Sequence, residues 1–296
     1  MTVRDTACEQ RTLQRVNDYS RGVHGIAGTS APGHAECKTS RVSSALPQRI
    51  ATAVAATVAD LVAAGTSGVL LLGSQVRGDA HEHSDVNLVA LGNGPDYTLR
   101  QVHELLMSVS WRTAEEVLAA FANPREAGGA VPGWRSALIL HDADGELATL
   151  VEAARGWQWS DIETRRRAWI ANQVTIHAEQ VNRLVGSLAM GRNTSAAVNR
   201  NLLATQLPMI AAVHQQILYD SEHRLFDLVA AAMGERWQRS QEASLALRAE
   251  ALDESCRAAL DLYAMLTPAV DDYLTPDQRA VATAAAELAW TAQRVP

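Results

Sequence analysis

Two strands and the turn between them are encoded by the stretch GVLLLGSQVRGDAHEHSDVNLVAL, residues 68–91. It joins two short apolar runs rich in Val and Leu, at 68–74 and 85–91, through a polar connection that contains Gly73 and Gly78. Runs of this composition are typical of strands that are buried on both faces of a sheet. The stretch therefore predicts a strand, a Gly-Ser turn, a short helix and a second strand.

The polar residues of this stretch are spaced for phosphate and metal binding. Gly73 allows the backbone to come close to a triphosphate, and the Ser74 hydroxyl with the amides that open the next helix can hold its oxygens. Alternate residues of a strand share a face, so Asp85 and Asn87 point to the same place. Carboxylate and amide oxygens are ligands of Mg²⁺. Asp85 and Asn87 are therefore the candidate metal ligands.

The pattern outside this stretch predicts an α/β (α+β) protein with a small mixed sheet followed by a helical bundle. Apolar residues recur at three and four from Pro47 onward, which indicates a helix before the first strand. Two further strands are expected at LLMSVSW (105–111) and SALILHD (136–142), with Leu106, Ser108 and Ser110 on one face of the former. From about Ser160 the sequence is helical, with breaks that predict about five helices. We predict a flexible arm at 1–45, with a short helix over Cys8–Tyr19, a mixed-sheet domain at 46–158 and an all-α domain at 159–296.

Composition excludes some classes of partner. The net charge is −7 and the pI is about 5.7, so no basic field exists to attract nucleic acid or an anionic membrane. No run of 18 apolar residues occurs, and the start lacks the apolar core of a signal peptide. Three widely separated cysteines, Cys8, Cys37 and Cys256, match neither a disulfide framework nor a zinc site. We expect a reduced, cytoplasmic protein.

The motif resembles the signature of the polymerase β superfamily, a Gly-Ser pair followed about ten residues later by two acidic residues that flank an apolar one. Here Gly73 and Ser74 are the pair, and Asp85 and Asn87 flank Val86. The order of elements from about residue 47 to 230 is similar to kanamycin nucleotidyltransferase and related small-molecule nucleotidyltransferases. The resemblance implies a nucleotidyltransferase fold and transfer of a nucleoside monophosphate to a small hydroxylated molecule, such as an antibiotic.

The resemblance also implies roles for residues outside the motif. Glu179 and Arg183 in HAEQVNRL match the family's catalytic base and the basic residue four positions later. Asp85 would share the catalytic work, and Arg77 matches a basic residue that reaches phosphate oxygens. A nucleoside triphosphate such as ATP is implied as co-substrate and Mg²⁺ as cofactor. Members of the family are often dimers, so a homodimer is also implied.

The sequence departs from the family pattern at two of the three expected metal carboxylates. Asn87 stands in one position, and Ser108 stands where the next strand carries the third acidic residue. Three explanations remain open. A carboxylate from Asp79, Glu82 or Glu104 can substitute, the protein can work with a single metal, or nucleotidyl transfer is lost and the cleft binds a metabolite or hosts another reaction.

Overall fold

The computed structural model of the protein describes residues 46–292. The predicted arm, with its short helix over Cys8–Tyr19, lies outside these residues. The first part contains, in chain order, α1 (Gln48–Ala63), β1 (Gly68–Leu72), α2 (Ser74–Arg77), β2 (Val86–Leu91), β3 (Tyr97–Val102), β4 (Leu105–Arg112), α3 (Ala114–Ala122), α4 (Pro124–Arg135), β5 (Leu138–Asp142) and α5 (Glu146–Gly156). After a 3₁₀ turn at Trp159–Ile162, the second part contains α6 (Glu163–Ala189), α7 (Asn193–His214), α8 (Glu222–Met233), α9 (Glu235–Ser244), α10 (Leu252–Ala269), a 3₁₀ turn at Asp271–Tyr273, and α11 (Pro276–Ala292).

The five strands form one mixed sheet in the order β3-β4-β2-β1-β5. β1 pairs antiparallel with both β2 and β5, β3 pairs antiparallel with β4, and β2 and β4 are parallel neighbours. The predicted fold class, a small mixed sheet followed by a C-terminal helical region, is confirmed.

The two faces of the sheet are covered by different helices. Met107, Val109 and Trp111 of β4 belong to a buried cluster with Val54 and Leu61 of α1, as the alternation along β4 predicts. On the other face Leu70, Val89 and Leu91 join the larger cluster, which continues through α3, α4 and α5 into the helical part. The sheet is therefore the middle layer between α1 and the helices α3, α4 and α5. Asn87 and Ser108 lie on the face opposite to α1.

Three features differ from the sequence expectation. Strand β3 was missed because it lies at the sheet edge and its residues are largely exposed, so no apolar run marks it. The described residues after 159 form six α-helices rather than about five, because the chain also breaks at 215–221 and 245–251. The expected break at Thr267–Pro268 is absent, since Pro268 lies in the last turn of α10.

The helical part is held by a closely packed core that includes the hydroxyl of Tyr263. Trp237 and Tyr263 are fully buried, and the Tyr263 hydroxyl donates a 3.0 Å hydrogen bond to the backbone oxygen of Val174, joining α10 to α6. Cys256 is buried and free, and burial raises the pKa of its thiol to about 11. Between residues 46 and 292 no helix combines the length and the apolar character that crossing a membrane requires.

Replacing Tyr263 by Phe removes the hydroxyl that joins α10 to α6 and keeps the ring. We expect the free energy of unfolding to fall by about 1 kcal/mol, the usual net contribution of a buried hydrogen bond. Urea unfolding measures it, and Tyr97→Phe is the matched control, because Tyr97 is 56% exposed. Equal effects of the two substitutions would contradict this assignment.

Candidate functional site

The Gly73–Ser74 turn lies between β1 and α2, at the edge where β1 ends. Gly73 has φ 81° and ψ −156°, a conformation that strongly favours glycine. A Cβ atom added at Gly73 would lie 3.2 Å from Nδ2 of Asn87, so the turn also needs the space that glycine leaves. Among the described residues nothing hydrogen-bonds the Ser74 hydroxyl. The turn therefore brings Gly73 against the Asn87 side chain and leaves the Ser74 hydroxyl without a partner among the described residues.

Asp85, Asn87 and Ser108 form a chain of hydrogen bonds across two parallel strands. Asn87 on β2 is the register partner of Ser108 on β4, so the two side chains lie next to each other. The Ser108 hydroxyl donates to Asn87 Oδ1 at 2.5 Å, and Asn87 Nδ2 donates to Asp85 Oδ1 at 2.9 Å. Ser108 is 3% exposed. The structure thus brings together the three positions of the expected metal site, and their side chains are bonded to one another.

This donor set does not fit a site for two Mg²⁺ ions. Magnesium takes anionic oxygens in a near-octahedral arrangement, whereas only Asp85 carries a carboxylate here. The Asn87 amide turns its nitrogen, which cannot ligate a cation, toward that carboxylate. Between residues 46 and 292 no group of three or more His, Cys, Asp or Glu side chains is placed to hold a metal ion.

Each of the three carboxylates named as substitutes has a basic partner within residues 46–292. Asp79 pairs with Arg77 at 3.1 Å. Glu82 pairs with His83 in the exposed turn before β2, and Glu104 pairs with Arg49 at the β3–β4 turn with 88% of its side chain exposed. Each carboxylate is therefore engaged elsewhere.

Arg77 is tied to the protein instead of pointing freely at the turn. Its Nη1 donates to the backbone oxygen of Asp220 at 2.7 Å, and its Nε donates to Asp79 Oδ2 at 3.2 Å. Its Nε also lies 3.8 Å from the Asp220 carboxylate. The Arg77 side chain is 16% exposed, so this guanidinium holds α2 against the loop between α7 and α8. Sequence reasoning missed Asp220, which is 143 residues away and has no readable spacing to Arg77.

Glu179 and Arg183 lie one turn apart on α6 and form an ion pair at 2.5 Å. Their side chains are 61% and 58% exposed, respectively. Within the part of the chain that the structure describes, neither makes a hydrogen bond or ion pair with Asp85, Asn87 or Arg77. The structure brings the two residues together with each other and leaves them outside the hydrogen-bonded motif.

An exposed apolar rim lies on the same sheet face as the motif and was also missed in the sequence. Tyr97 and Leu99 of β3 are the antiparallel partners of Ser110 and Ser108, and paired residues share a face. Tyr97 is 56% exposed and Leu99 is 55% exposed. Adjacent strands are roughly 4.8 Å apart, so this rim starts one strand beyond Ser108.

Comparison with known proteins adds similarity to solved structures. No protein-family model and no curated protein matches the chain. The chain is similar to a solved structure described as a nucleotidyltransferase-like protein from Exiguobacterium sibiricum 255-15, with 15% sequence identity and a TM-score of 0.49. The similarity covers 75% of this chain and 77% of that one. The geometry of the Gly73 turn and of the Asp85–Asn87–Ser108 chain stands independently of it.

Replacing Arg77 by Met removes the donors that hold the α7–α8 loop and keeps an apolar stem of similar length. We expect a loss of about 1–3 kcal/mol in the free energy of unfolding, because Asp220 loses a half-buried charged partner. Amide hydrogen exchange should become faster at residues 215–221. Arg100→Met is the control, since the exposed Arg100–Asp60 pair at 4.0 Å contributes little. Unchanged exchange at 215–221 would show that Arg77 does not hold this loop.

Proposed function

We propose that this nucleotidyltransferase-like protein binds a small hydroxylated molecule beside the Gly73–Ser74 turn and does not carry out two-metal nucleotidyl transfer. The observation behind the proposal is the hydrogen-bond chain from Ser108 through Asn87 to Asp85. It occupies the positions at which the resembling family carries three carboxylates.

The chain of hydrogen bonds fixes the direction of the Asn87 amide. A half-turn of the amide would bring its oxygen toward the Asp85 carboxylate, which has no proton to donate, and would break that hydrogen bond, whereas the Ser108 hydroxyl could accept from the amide nitrogen instead. Each such bond contributes about 0.5–1.5 kcal/mol net, and hydrogen bonds to a charged carboxylate contribute more. The orientation that satisfies Asp85 and Ser108 is therefore the one that removes Asn87 as a metal ligand.

The remaining polar groups suit a ligand that donates hydrogen bonds. An ionised carboxylate only accepts, and its two oxygens offer about four acceptor positions. Asn87 uses one of those of Asp85. The Ser74 hydroxyl can donate or accept, and the rim of Tyr97 and Leu99 can cover an apolar part of the same molecule. A polyhydroxylated molecule with one apolar face matches these three features.

A second candidate is transfer of a nucleoside monophosphate from a triphosphate such as ATP, with Mg²⁺ as the cofactor that the resemblance implies. It is favoured by the positive φ of Gly73, which lets the backbone come close to a phosphate, and by the Ser74 hydroxyl, which has no partner among the described residues. In this candidate Glu179 accepts a proton from the acceptor hydroxyl, and Arg183 binds phosphate oxygens.

One assay separates the two candidates. The protein is incubated with each nucleoside triphosphate, Mg²⁺ or Mn²⁺ and a panel of aminoglycosides and other polyols, and pyrophosphate is measured. Binding of the polyols alone is measured by calorimetry. We expect polyol binding that Asp85→Asn weakens, without pyrophosphate release. Pyrophosphate formation that depends on both Asp85 and Glu179 would establish the second candidate instead.

Restoring the carboxylates should create the missing cation affinity. In the Asn87→Asp, Ser108→Glu double variant three carboxylates face one another, and repulsion between like charges destabilises the fold until a cation binds. We expect Mg²⁺ to bind the double variant on the order of tenfold or more tightly than the wild type, about 1.4 kcal/mol or more. Calorimetry measures the affinity, and Mg²⁺ should also raise the unfolding midpoint of the double variant.

The matched control combines Asn87→Asp with Ser110→Glu, which adds the same charge two residues further along the same face. It should gain less Mg²⁺ affinity than the double variant. Equal Mg²⁺ affinity of the wild type and the double variant would show that Asn87 and Ser108 do not limit metal binding.

A further inference from the structure

A cleft whose lining includes none of Gly73, Ser74, Asp85, Asn87 and Ser108 opens between α4 and the segment that leads into α8. Its volume is about 460 Å³, within the range of roughly 300–1,000 Å³ that is common for small-molecule sites. Ala130 of α4 and Met209 of α7 give it an apolar wall. Tyr219 and the residues that follow it supply polar groups.

Tyr219 presents an unpartnered hydroxyl to this cleft. The residue is only 8% exposed, and its backbone N–H donates to the backbone oxygen of Gly128 at 2.9 Å. Its ring lies directly on Gly128 and Gly129 of α4. A Cβ added at Gly129 would stand 2.9 Å from Cε2 of Tyr219 and 3.3 Å from its hydroxyl oxygen. Within residues 46–292 the hydroxyl has no hydrogen-bond partner. The ring is thus largely buried while its hydroxyl, which lines the cleft, is left for a ligand.

Two opposite charges line the same cleft without pairing. Arg125 near the start of α4 and Glu222 at the start of α8 are both exposed, and neither side chain forms a hydrogen bond or ion pair with the described residues. Both act on Tyr219. Burial, with Glu222, raises the pKa of the Tyr219 hydroxyl, and Arg125 opposes that shift. The phenol therefore stays protonated and can donate.

The other carboxylates of the cleft are already engaged. Glu126 accepts from Asn123 Nδ2 at 2.5 Å. Asp220 accepts from Arg224 at 3.2 Å and lies beside Arg77. The cleft groups without any partner among the described residues are one guanidinium, one carboxylate, and the hydroxyls of Tyr219 and Ser221.

We propose that this cleft binds a small zwitterion, a free α-amino acid. Arg125 receives the carboxylate, Glu222 receives the ammonium group, and the Tyr219 hydroxyl donates a further hydrogen bond to the carboxylate. The amino-acid side chain lies on the wall of Ala130 and Met209. A simple anion would face the unpaired charge of Glu222, and a simple amine would face that of Arg125. A molecule that carries both charges matches both groups.

The test is calorimetric titration of the full chain with each of the twenty L-amino acids. For every amino acid that binds, its decarboxylated amine and its N-acetyl derivative are titrated as well. We expect at least one amino acid to bind, and the two derivatives to bind roughly tenfold to hundredfold more weakly, because each lacks one charge-assisted contact. Absence of binding by all twenty, or equal binding of a derivative, would overturn the proposal.

Substitutions then assign the two charges. Arg125→Gln should abolish the difference in affinity between the amino acid and its amine, and Glu222→Gln should abolish the difference between the amino acid and its N-acetyl derivative. Tyr219→Phe, which keeps the ring, should weaken binding about two- to tenfold. Binding that none of the three substitutions changes would place the ligand elsewhere and overturn the proposal.

Gly129 and Gly133, both on α4, provide a matched structural control. In Gly129→Ala the new methyl meets the Tyr219 ring, so amino-acid binding should fall, whereas Gly133 on the same helix has open space around its Cβ position. Gly133→Ala should leave binding unchanged. These readouts involve none of Asp85, Asn87 or Ser108, so the failure of this proposal and the failure of the proposed function are distinguished by different variants.

Discussion

The parallel pairing of β2 with β4 is the constraint on which the site depends. It places Asn87 beside Ser108, and the antiparallel pairing of β1 with β2 places Leu72, the last residue before the Gly73 turn, beside Asn87. A shift of either register by one residue would turn Asn87 or Ser108 to the opposite face. The buried residues on that opposite face, packed on α1, prevent such a shift. The apolar residues packed on α1 therefore fix the positions of Asn87 and Ser108 on the other face.

Within this frame the chemistry of the site is decided by two neutral side chains. A carboxylate at position 87 or 108 would face Asp85 with like charge and would need a cation. An amide and a hydroxyl instead satisfy Asp85 by hydrogen bonds alone. The site is thus complete as a hydrogen-bonded network in which Asp85 is the one charged member.

The sequence was informative where structure is local and periodic. The strands β1, β2, β4 and β5, the Gly-Ser turn and the alternation along β4 follow from runs of Val and Leu and from spacing. The edge strand β3 could not be predicted, because exposed residues leave no apolar period. Contacts between residues far apart in the sequence could not be predicted either. Arg77, which is predicted to bind phosphate, also contacts Asp220, 143 residues away. Neither this contact nor the packing of the Tyr219 ring on Gly128 and Gly129 has a spacing that can be recognised in the sequence.

In the structure Asn87 turns its amide nitrogen to Asp85, which leaves no second metal ligand beside that carboxylate. Crystallography with an anomalous scatterer tests this arrangement. Crystals grown with Mn²⁺ and a non-hydrolysable ATP analogue would be measured at the manganese absorption edge. We expect no manganese bound by Asp85 and an Asn87 nitrogen within hydrogen-bond distance of that carboxylate. A manganese ion ligated by Asp85 and by Asn87 Oδ1, with the triphosphate at Gly73 and Ser74, would contradict it.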